Sequence, residues 1–212
     1  METNKEMVEY LLGLGIIDAK LAECMLHFPR RGFLPLSGQK NAYADIPTPI
    51  SNGQTTSAPS MVGIMLMAAG IEEGMSVLEI GTGSGWQTAL LSCLVGKKGR
   101  VYSLEIYPEI HTNAKKSVGT LKNVELLLED GLDGYSGAAP YDIIIVGAAA
   151  SEPHPVLLSQ LKEGGTLIIP LRGTHLQSLF KITKTKEGML REEICPVLFV
   201  PMYEGGDGNP AW

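Results

Sequence analysis

Residues 77–92 read VLEIGTGSGWQTALLS, and the parsing of this stretch decides the rest of the chain. Val77-Leu78-Glu79-Ile80 has the composition of a buried strand, and Trp86–Val95 that of a helix. Between them, Gly81-Thr82-Gly83-Ser84-Gly85 makes a tight strand-to-helix turn. Glycines in such a turn let the backbone approach a ligand at a helix N-terminus. The spacing is G-x-G-x-G, and Trp86 stands where a dinucleotide fingerprint needs its third glycine. The loop carries no positive charge and no P-loop lysine follows it, so a diphosphate is a poor fit.

Two acids further on extend the pattern. Glu105 closes the next strand, and Asp130 follows the strand after that. A carboxylate about twenty residues beyond such a loop accepts from both ribose hydroxyls. A second, one strand later, can accept from an adenine amine. Together they describe a nucleoside without phosphates, and S-adenosylmethionine is the common ligand of that kind. The bland alternative is a plain tight turn with two solvated strand-end acids. Agreement of three elements in order and position favours the ligand.

Around this unit the chain alternates. Strands are expected at 100–106, 124–128, 142–146 and 165–170, and helices at 108–118 and 156–161. Continuous apolar strands alternating with helices make a mostly parallel sheet covered on both faces. Residues 4–28 read as two short helices broken near Gly13-Leu14-Gly15, with Asp18 capping the second. An irregular stretch then leads to an apolar helix at 58–69, closed by Gly70. Ser57 falls at its N-cap, with Pro59 in the first turn. Segments 178–183 and 189–200 form an antiparallel pair, and 205–210 a mobile tail. A single domain is expected over 1–212, divided into an extension (1–57), a cofactor-binding core (58–170), C-terminal strands (171–204) and the tail (205–212).

Composition narrows the partners. The 17 Lys and Arg against 23 Asp and Glu leave a net charge of −6, and no basic block offsets it, which argues against nucleic acid. Glu2, Lys5, Glu6 and Glu9 exclude a signal peptide, and the apolar run at 61–71 is too short to span a bilayer. Cys24, Cys93 and Cys195 are odd in number and lack C-x-x-C spacing. They suit a reducing cytosol and speak against a disulfide framework or a zinc site. His27, His111, His154 and His175 show no ligand spacing, and no metal is expected.

The end of the fourth core strand reads Val146-Gly147-Ala148-Ala149-Ala150. It lacks the Asn/Asp-Pro-Pro-aromatic cluster that would grip a base amino group, and its small residues leave room for a main chain or carboxylate. Close packing of a buried strand end explains them equally well. Taken with HFPRRGFLP, AYADIPTPISNGQTTSAPSMV, VYSLEIYPEI, EDGLDGYSGAAPYDIIIVGAAA, LKEGGTLIIPL and LFVPM, the chain resembles the protein-L-isoaspartate (D-aspartate) O-methyltransferase family over nearly its whole length. The glycine loop and acids are common to all class I methyltransferases, whereas GQTTSAP and the C-terminal FVP are specific.

The resemblance implies an α/β, Rossmann-like class I S-adenosylmethionine-dependent methyltransferase fold. It implies a roughly seven-stranded, mostly parallel sheet with helices on both faces, a helical N-terminal extension and a C-terminal antiparallel strand pair. It further implies a cytoplasmic, monomeric repair enzyme. Such an enzyme methylates the free carboxylate of L-isoaspartyl residues in damaged proteins or peptides and releases S-adenosyl-L-homocysteine, without nucleic acid or membrane. A carboxylate is already ionised at neutral pH and needs no base, so alignment and partial desolvation suffice.

Ser57 matches the family's active-site serine, and neutral hydroxyls at a helix start can orient a carboxylate without neutralising it. The cofactor set is Gln54, Thr55, Thr56, Ser60, Glu79, Gly81, Thr82, Gly83, Gly85, Trp86, Glu105, Ile106, Asp130 and Gly131. The substrate set is Ile50, Ala148, Leu198, Phe199 and Val200. Departures from the family pattern fall at Ser51-Asn52, ahead of Gly53 where relatives read PIGxGQT, at Ser60 in place of His or Tyr, at Trp86 in place of a Tyr beside the cofactor, and at 151–155. A different carboxylate, a small-molecule acceptor, or a cofactor-binding relative without catalysis are the alternatives.

Overall fold

The computed structural model describes residues 1–174 and 176–202; His175 and the expected tail at 205–210 lie outside the described residues. In chain order the elements are α1 (Asn4–Gly13), α2 (Ala19–His27), β1 (Thr48–Pro49), β2 (Thr55–Thr56), α3 (Pro59–Ala69), β3 (Ser76–Ile80), α4 (Trp86–Val95), β4 (Arg100–Leu104), α5 (Pro108–Val118), β5 (Val124–Leu127), β6 (Tyr141–Val146), α6 (Pro155–Ser159), β7 (Leu161–Arg172), β8 (Gln177–Thr185) and β9 (Gly188–Val197). The seven longer strands form one sheet in the order β5-β4-β3-β6-β7-β8-β9. The first five are parallel, and β7-β8 and β8-β9 are antiparallel.

The apolar strands are buried on both faces, and alternation along each strand sorts its side chains between two layers. Val77, Ile143, Ile145 and Ile168 pack with Met7, Leu11, Met25, Leu66 and Leu90 from α1, α2, α3 and α4. Leu78, Ile144, Val146 and Leu167 pack on the other face with Leu157 of α6. Full burial of one such side chain contributes about 1.5–3 kcal/mol, so these two layers hold the sheet against its helices. No helix among the described residues is long and apolar enough to cross a membrane.

Two expectations are overturned. Cys24 and Cys93 form a disulfide joining α2 to α4, and Cys195 remains free. Spacing rules look for local pairs, whereas this pair is 69 residues apart in sequence and is brought together by helix packing. The second concerns Ser57. The N-cap of α3 is Ala58, which makes no side-chain cap. Asp45, from the irregular stretch, instead accepts the Ser60 amide at 2.8 Å, placing a carboxylate at the positive end of the helix. Asp18 does cap α2, accepting the Leu21 amide at 2.8 Å.

After β9 the chain crosses to the end of β6. The Ala149 amide donates to Val200 O and the Met202 amide to Ala149 O, both at 2.8 Å. Residues 200–202 are thereby seated over the strand end that the glycine loop also faces.

Candidate functional site

Strand order reverses at β3, with β4 on one side and β6 on the other. In open α/β sheets the crevice at the carboxyl ends of such strands is where ligands bind. Here it is a cleft of about 100 Å³. Its wall is built from Ile80 of β3 with Gly81 and Gly83 after it, from Leu104 of β4 with Glu105 to Tyr107 after it, and from Asp130 and Gly131 after β5. Gly147 and Ala148 after β6, Ile110 of α5, Ile50, Gln54 and Thr55 of the β1-β2 hairpin, and Val200 to Met202 complete it. Gly81 and Gly83 have φ of 90° and 55°, a region that suits glycine. A Cβ on Gly131 would stand 2.2 Å from Ile80 Cγ2, so that wall tolerates only glycine. No Lys, Arg or His lines the cleft among the described residues.

Glu105 is 5 % exposed. Its Oε2 accepts the Gly83 amide at 3.0 Å and its Oε1 the Tyr107 amide at 3.1 Å. The acid thus ties the glycine loop to the end of β4 while lining the cleft, with acceptor capacity left beyond its backbone partners. Burial raises its pKa, opposed by backbone hydrogen bonds from Gly83, Tyr107 and Ile106. Asp130 is half-buried, and its Oδ1 accepts the Leu132 amide at 3.0 Å, leaving its second oxygen available. Two carboxylates in a cleft with no cation fit a nucleoside bearing no phosphate. No group of three or more His, Cys, Asp or Glu able to hold a metal occurs among the described residues.

Glu79 lies one layer below. Its side chain is wholly buried and accepts from Gln87 Nε2 at 2.9 Å, Ser103 Oγ at 2.6 Å and Thr88 Oγ1. Thr82 Oγ1 pairs with Ser103 Oγ at 2.6 Å. This chain of polar contacts anchors the loop and α4 on β3 and β4. Burial pushes the Glu79 carboxyl from 4.5 up to about 7, against the three donors that favour its ionised form. The native state therefore binds more protons than the unfolded one between those values, and stability falls as pH rises through that window. The fall is on the order of 3 kcal/mol for the full shift. Glu79→Gln removes the titration while the Thr88 and Ser103 hydroxyls rotate to suit. Chemical denaturation at a series of pH values should show the variant gaining on the parent between about pH 4.5 and 7. Parallel profiles would contradict this account of Glu79.

The hairpin is held from behind by Arg30, which is fully buried. Its Nη1 donates to Ala42 O at 2.9 Å, and its Nη2 reaches Ile46 O at 3.2 Å, Thr48 Oγ1 at 3.2 Å and Ser57 O at 3.0 Å. The guanidinium sits 5.7 Å from the Trp86 ring centroid. Burial pulls its pKa down to about 10, against the attraction of Asp45, so it stays cationic at neutral pH. Ser84 Oγ donates to Thr56 Oγ1 at 3.1 Å, linking β2 to the glycine loop.

Of the residues singled out in the sequence, the cleft brings together Ile50, Gln54, Thr55, Gly81, Gly83, Glu105, Ile106, Asp130, Gly131, Ala148 and Val200. Others lie elsewhere. The Trp86 indole, expected beside the cofactor, is core: it is fully buried and its Nε1 donates to Phe28 O at 2.9 Å. Glu79, Thr82 and Gly85 are buried beneath the loop. The Thr56 hydroxyl is occupied by Ser84, and the Ser60 amide by Asp45. Phe199 packs on the α-helical layer, with its amide donating to Gln177 Oε1 at 2.7 Å, and Leu198 is 91 % exposed. Ser57 is half-buried between β2 and α3, and the bond that defines its place is its carbonyl to Arg30. Gly147 and Pro201 fell within stretches read as substrate-facing without being named as site residues, and Arg30, Asp45 and Met202 were not singled out. Nothing local marks a charged residue for burial.

Comparison with known proteins completes the site's description. The profile of the protein-L-isoaspartate(D-aspartate) O-methyltransferase (PCMT) family matches residues 2–207. A protein of Ignicoccus hospitalis called protein-L-isoaspartate O-methyltransferase is 44% identical over 96% of this chain and 98% of its own. One of the same name from Pyrococcus horikoshii is 44% identical over 100% of this chain and 96% of its own. A crystal structure from Plasmodium falciparum, provisionally described as a PCMT in complex with S-adenosyl-L-homocysteine, superposes with a TM-score of 0.86. It is 27% identical, over 97% of this chain and 100% of that one.

Proposed function

The chain belongs to the protein-L-isoaspartate(D-aspartate) O-methyltransferase family, and from that premise we propose that it repairs damaged proteins and peptides. It transfers the methyl group of S-adenosylmethionine to the free carboxylate of L-isoaspartyl residues. The observation that carries the reading is the cleft itself. Glu105 and Asp130 line it, no cation among the described residues does, and the hairpin bearing the family-specific GQTTSAP segment forms its opposite wall. When bound, S-adenosylmethionine supplies a methyl group already activated by a positively charged sulfur.

The protein's own residues do the rest. Glu105 and Asp130 hold the nucleoside, and Gly81 and Gly83 let the backbone approach it. Ile50, Ala148 and Val200 offer an apolar wall that strips water from an incoming carboxylate, where electrostatic alignment counts most. Ser57 orients that carboxylate, and no proton has to be removed from it. Thr56, Ser60, Glu79, Thr82, Gly85 and Trp86 act from behind the wall by fixing the loop and hairpin. Leu198 and Phe199 bracket the strand end against which a peptide main chain lies.

We also propose that the enzyme works as a monomer in the cytoplasm, without nucleic acid. Support for this comes from the net charge of −6 and the family resemblance. The cysteine pattern no longer supports it, since two of the three pair. The chain is organised as an extension (1–57) that ends in the hairpin, a cofactor-binding core (58–170) and C-terminal strands (171–204).

The test is incubation with methyl-labelled S-adenosylmethionine and paired isoaspartyl and aspartyl peptides, using parent and Ser57→Ala chains. The parent should label the isoaspartyl peptide alone. Ser57→Ala should do so about tenfold or more slowly, the loss of one orienting hydrogen bond, with cofactor affinity unchanged. Labelling of a small carboxylic acid instead would favour a different acceptor. Cofactor binding without any labelling would favour a relative that has lost catalysis. Unchanged turnover in the variant would remove Ser57 from the site.

A further inference from the structure

The tip of the β1-β2 hairpin carries Ser51-Asn52-Gly53-Gln54. Asn52 and Gly53 have φ of 58° and 68°, and the Gln54 amide donates to Ser51 O at 3.1 Å. Asn-Gly with two left-handed residues is the favoured two-residue hairpin turn. It is also the dipeptide in which a side-chain amide meets least resistance from the next residue. Gly53 has no Cβ, and nothing lies within 4 Å of where one would be. Its amide enters no hydrogen bond among the described residues, Asn52 is exposed, and Gln54 Nε2 donates to the Asn52 carbonyl at 3.4 Å.

The other described asparagines differ. Asn4 and Asn113 lie in helices. The Asn123 side chain is engaged with Ser92 and Gly96, and Asn41 precedes alanine. Among the described aspartyl-glycyl pairs, the Gly134 amide is bonded to Gly131 O, and Gly131 is buried against Ile80.

We propose that Asn52-Gly53 is a deamidation site on the rim of the catalytic cleft, and that its isoaspartyl form is a substrate for a second copy of this chain. The second half rests on the activity proposed above. In the first step the Gly53 nitrogen loses its proton to solvent and bonds to Asn52 Cγ. The Cγ–Nδ2 bond breaks and the nitrogen leaves as ammonia. Water then opens the five-membered imide. Attack at Cγ gives aspartate. Attack at the former main-chain carbonyl gives isoaspartate, with the chain now running through Cγ and the former carbonyl as free carboxylate. The methyl donor for that carboxylate is S-adenosylmethionine.

Transfer occurs between molecules. Ile50, Gln54 and Thr55 of the same hairpin line the cleft while Ser51, Asn52 and Gly53 do not, so residue 52 cannot enter without dismantling the wall. The hairpin has only two ladder pairs, Thr48↔Thr56 and Pro49↔Thr55. Arg30 holds both ends of the hairpin, at Thr48 and Ser57, so opening is local to the tip, where Asn52 and Gly53 are exposed, and it presents the main chain around residue 52 to another molecule. Deamidation also places an extra backbone atom and a negative charge two residues from Gln54, so an aged chain should lose activity until it is repaired.

The experiment ages parent and Asn52→Gly chains in warm, mildly alkaline buffer beside a synthetic peptide of residues 48–56. Glycine accepts the left-handed φ and cannot deamidate. Mass mapping scores residue 52. Fresh parent enzyme and methyl-labelled S-adenosylmethionine are then added with an independent isoaspartyl control peptide. We expect isoaspartate at 52 in the aged parent, label in the peptide spanning 50–56, and none there in the aged variant. Intact Asn52 in a chain whose matching free peptide has deamidated overturns the site. Isoaspartate at 52 without label, in a tube where the control peptide is labelled, overturns the exchange between copies. An unlabelled control peptide overturns the repair reading and takes the methylation step with it, while the mass map still decides the site.

Discussion

Glu105→Gln is expected to bind S-adenosylmethionine roughly 10- to 100-fold more weakly than the parent, the value of one to two charge-assisted hydrogen bonds. The residue has two duties. Its oxygens accept the Gly83 and Tyr107 amides at 3.0 and 3.1 Å and a backbone bond from Ile106, and the acceptor capacity that remains lines the cleft where a ribose hydroxyl would donate. Glutamine keeps the shape but turns one acceptor into an NH2 group. That group must face either the Gly83 or the Tyr107 N–H, donor against donor, or take an acceptor away from the ribose. Titration calorimetry on folded protein reads the difference directly. Because burial raises the Glu105 pKa, affinity in the parent should weaken on acidification at a higher pH than an ordinary glutamate would give. In the Gln variant that dependence should disappear. Parental affinity in the variant would mean that the ribose is held elsewhere.

The contrast between Glu105 and Glu79 shows what a sequence can carry. Glu79 lies on a core strand and Glu105 directly after one, and spacing from the glycine loop marks Glu105 because the fold places strand ends at regular intervals. Nothing in the sequence says that Glu79 points sideways into Ser103 and Thr88, since that depends on the pairing Glu79↔Ser103 across β3 and β4. The mostly parallel sheet and the helices at Trp86–Val95 and Pro108–Val118 were legible because apolar periodicity is local and redundant, whereas the strand order was not. The C-terminal pair was legible in type but not in length: β9 ends at Val197, and the residues expected to continue it leave β8 and join β6. That switch depends on which strand end is left open, a property of the finished sheet. The cysteines failed for the same reason, as Cys24 and Cys93 meet only when α2 lies on α4. Trp86 was read from its position beside the loop. At the first turn of a helix whose inner face is core, a large indole packs inward.

Arg30→Met should lower the denaturation midpoint by roughly 10 °C, from a destabilisation of about 3–5 kcal/mol. It should also reduce turnover on isoaspartyl peptides more than tenfold, with cofactor affinity near the parent value. The stability loss follows from acceptors left behind. Arg30 serves Ala42 O, Ile46 O, Thr48 Oγ1 and Ser57 O, and each buried acceptor left unpaired costs about 1 kcal/mol or more. Methionine fills the space but donates nothing. The selectivity of the activity loss follows from where those acceptors sit. Thr48 begins the hairpin and Ser57 follows its last strand, so one guanidinium closes both ends of the segment facing the incoming carboxylate. Glu105, Asp130 and the glycine loop are built on other strands and keep their own bonds. Arg30→Lys separates charge from geometry. An ammonium retains the positive charge but has no planar fork to span acceptors on both sides, so it should recover part of the stability and little of the turnover. If Lys restored turnover fully, the field of the cation rather than the alignment of the hairpin would be what the site uses. If Met reduced cofactor affinity as much as turnover, Arg30 would be supporting the whole cleft and not one wall of it.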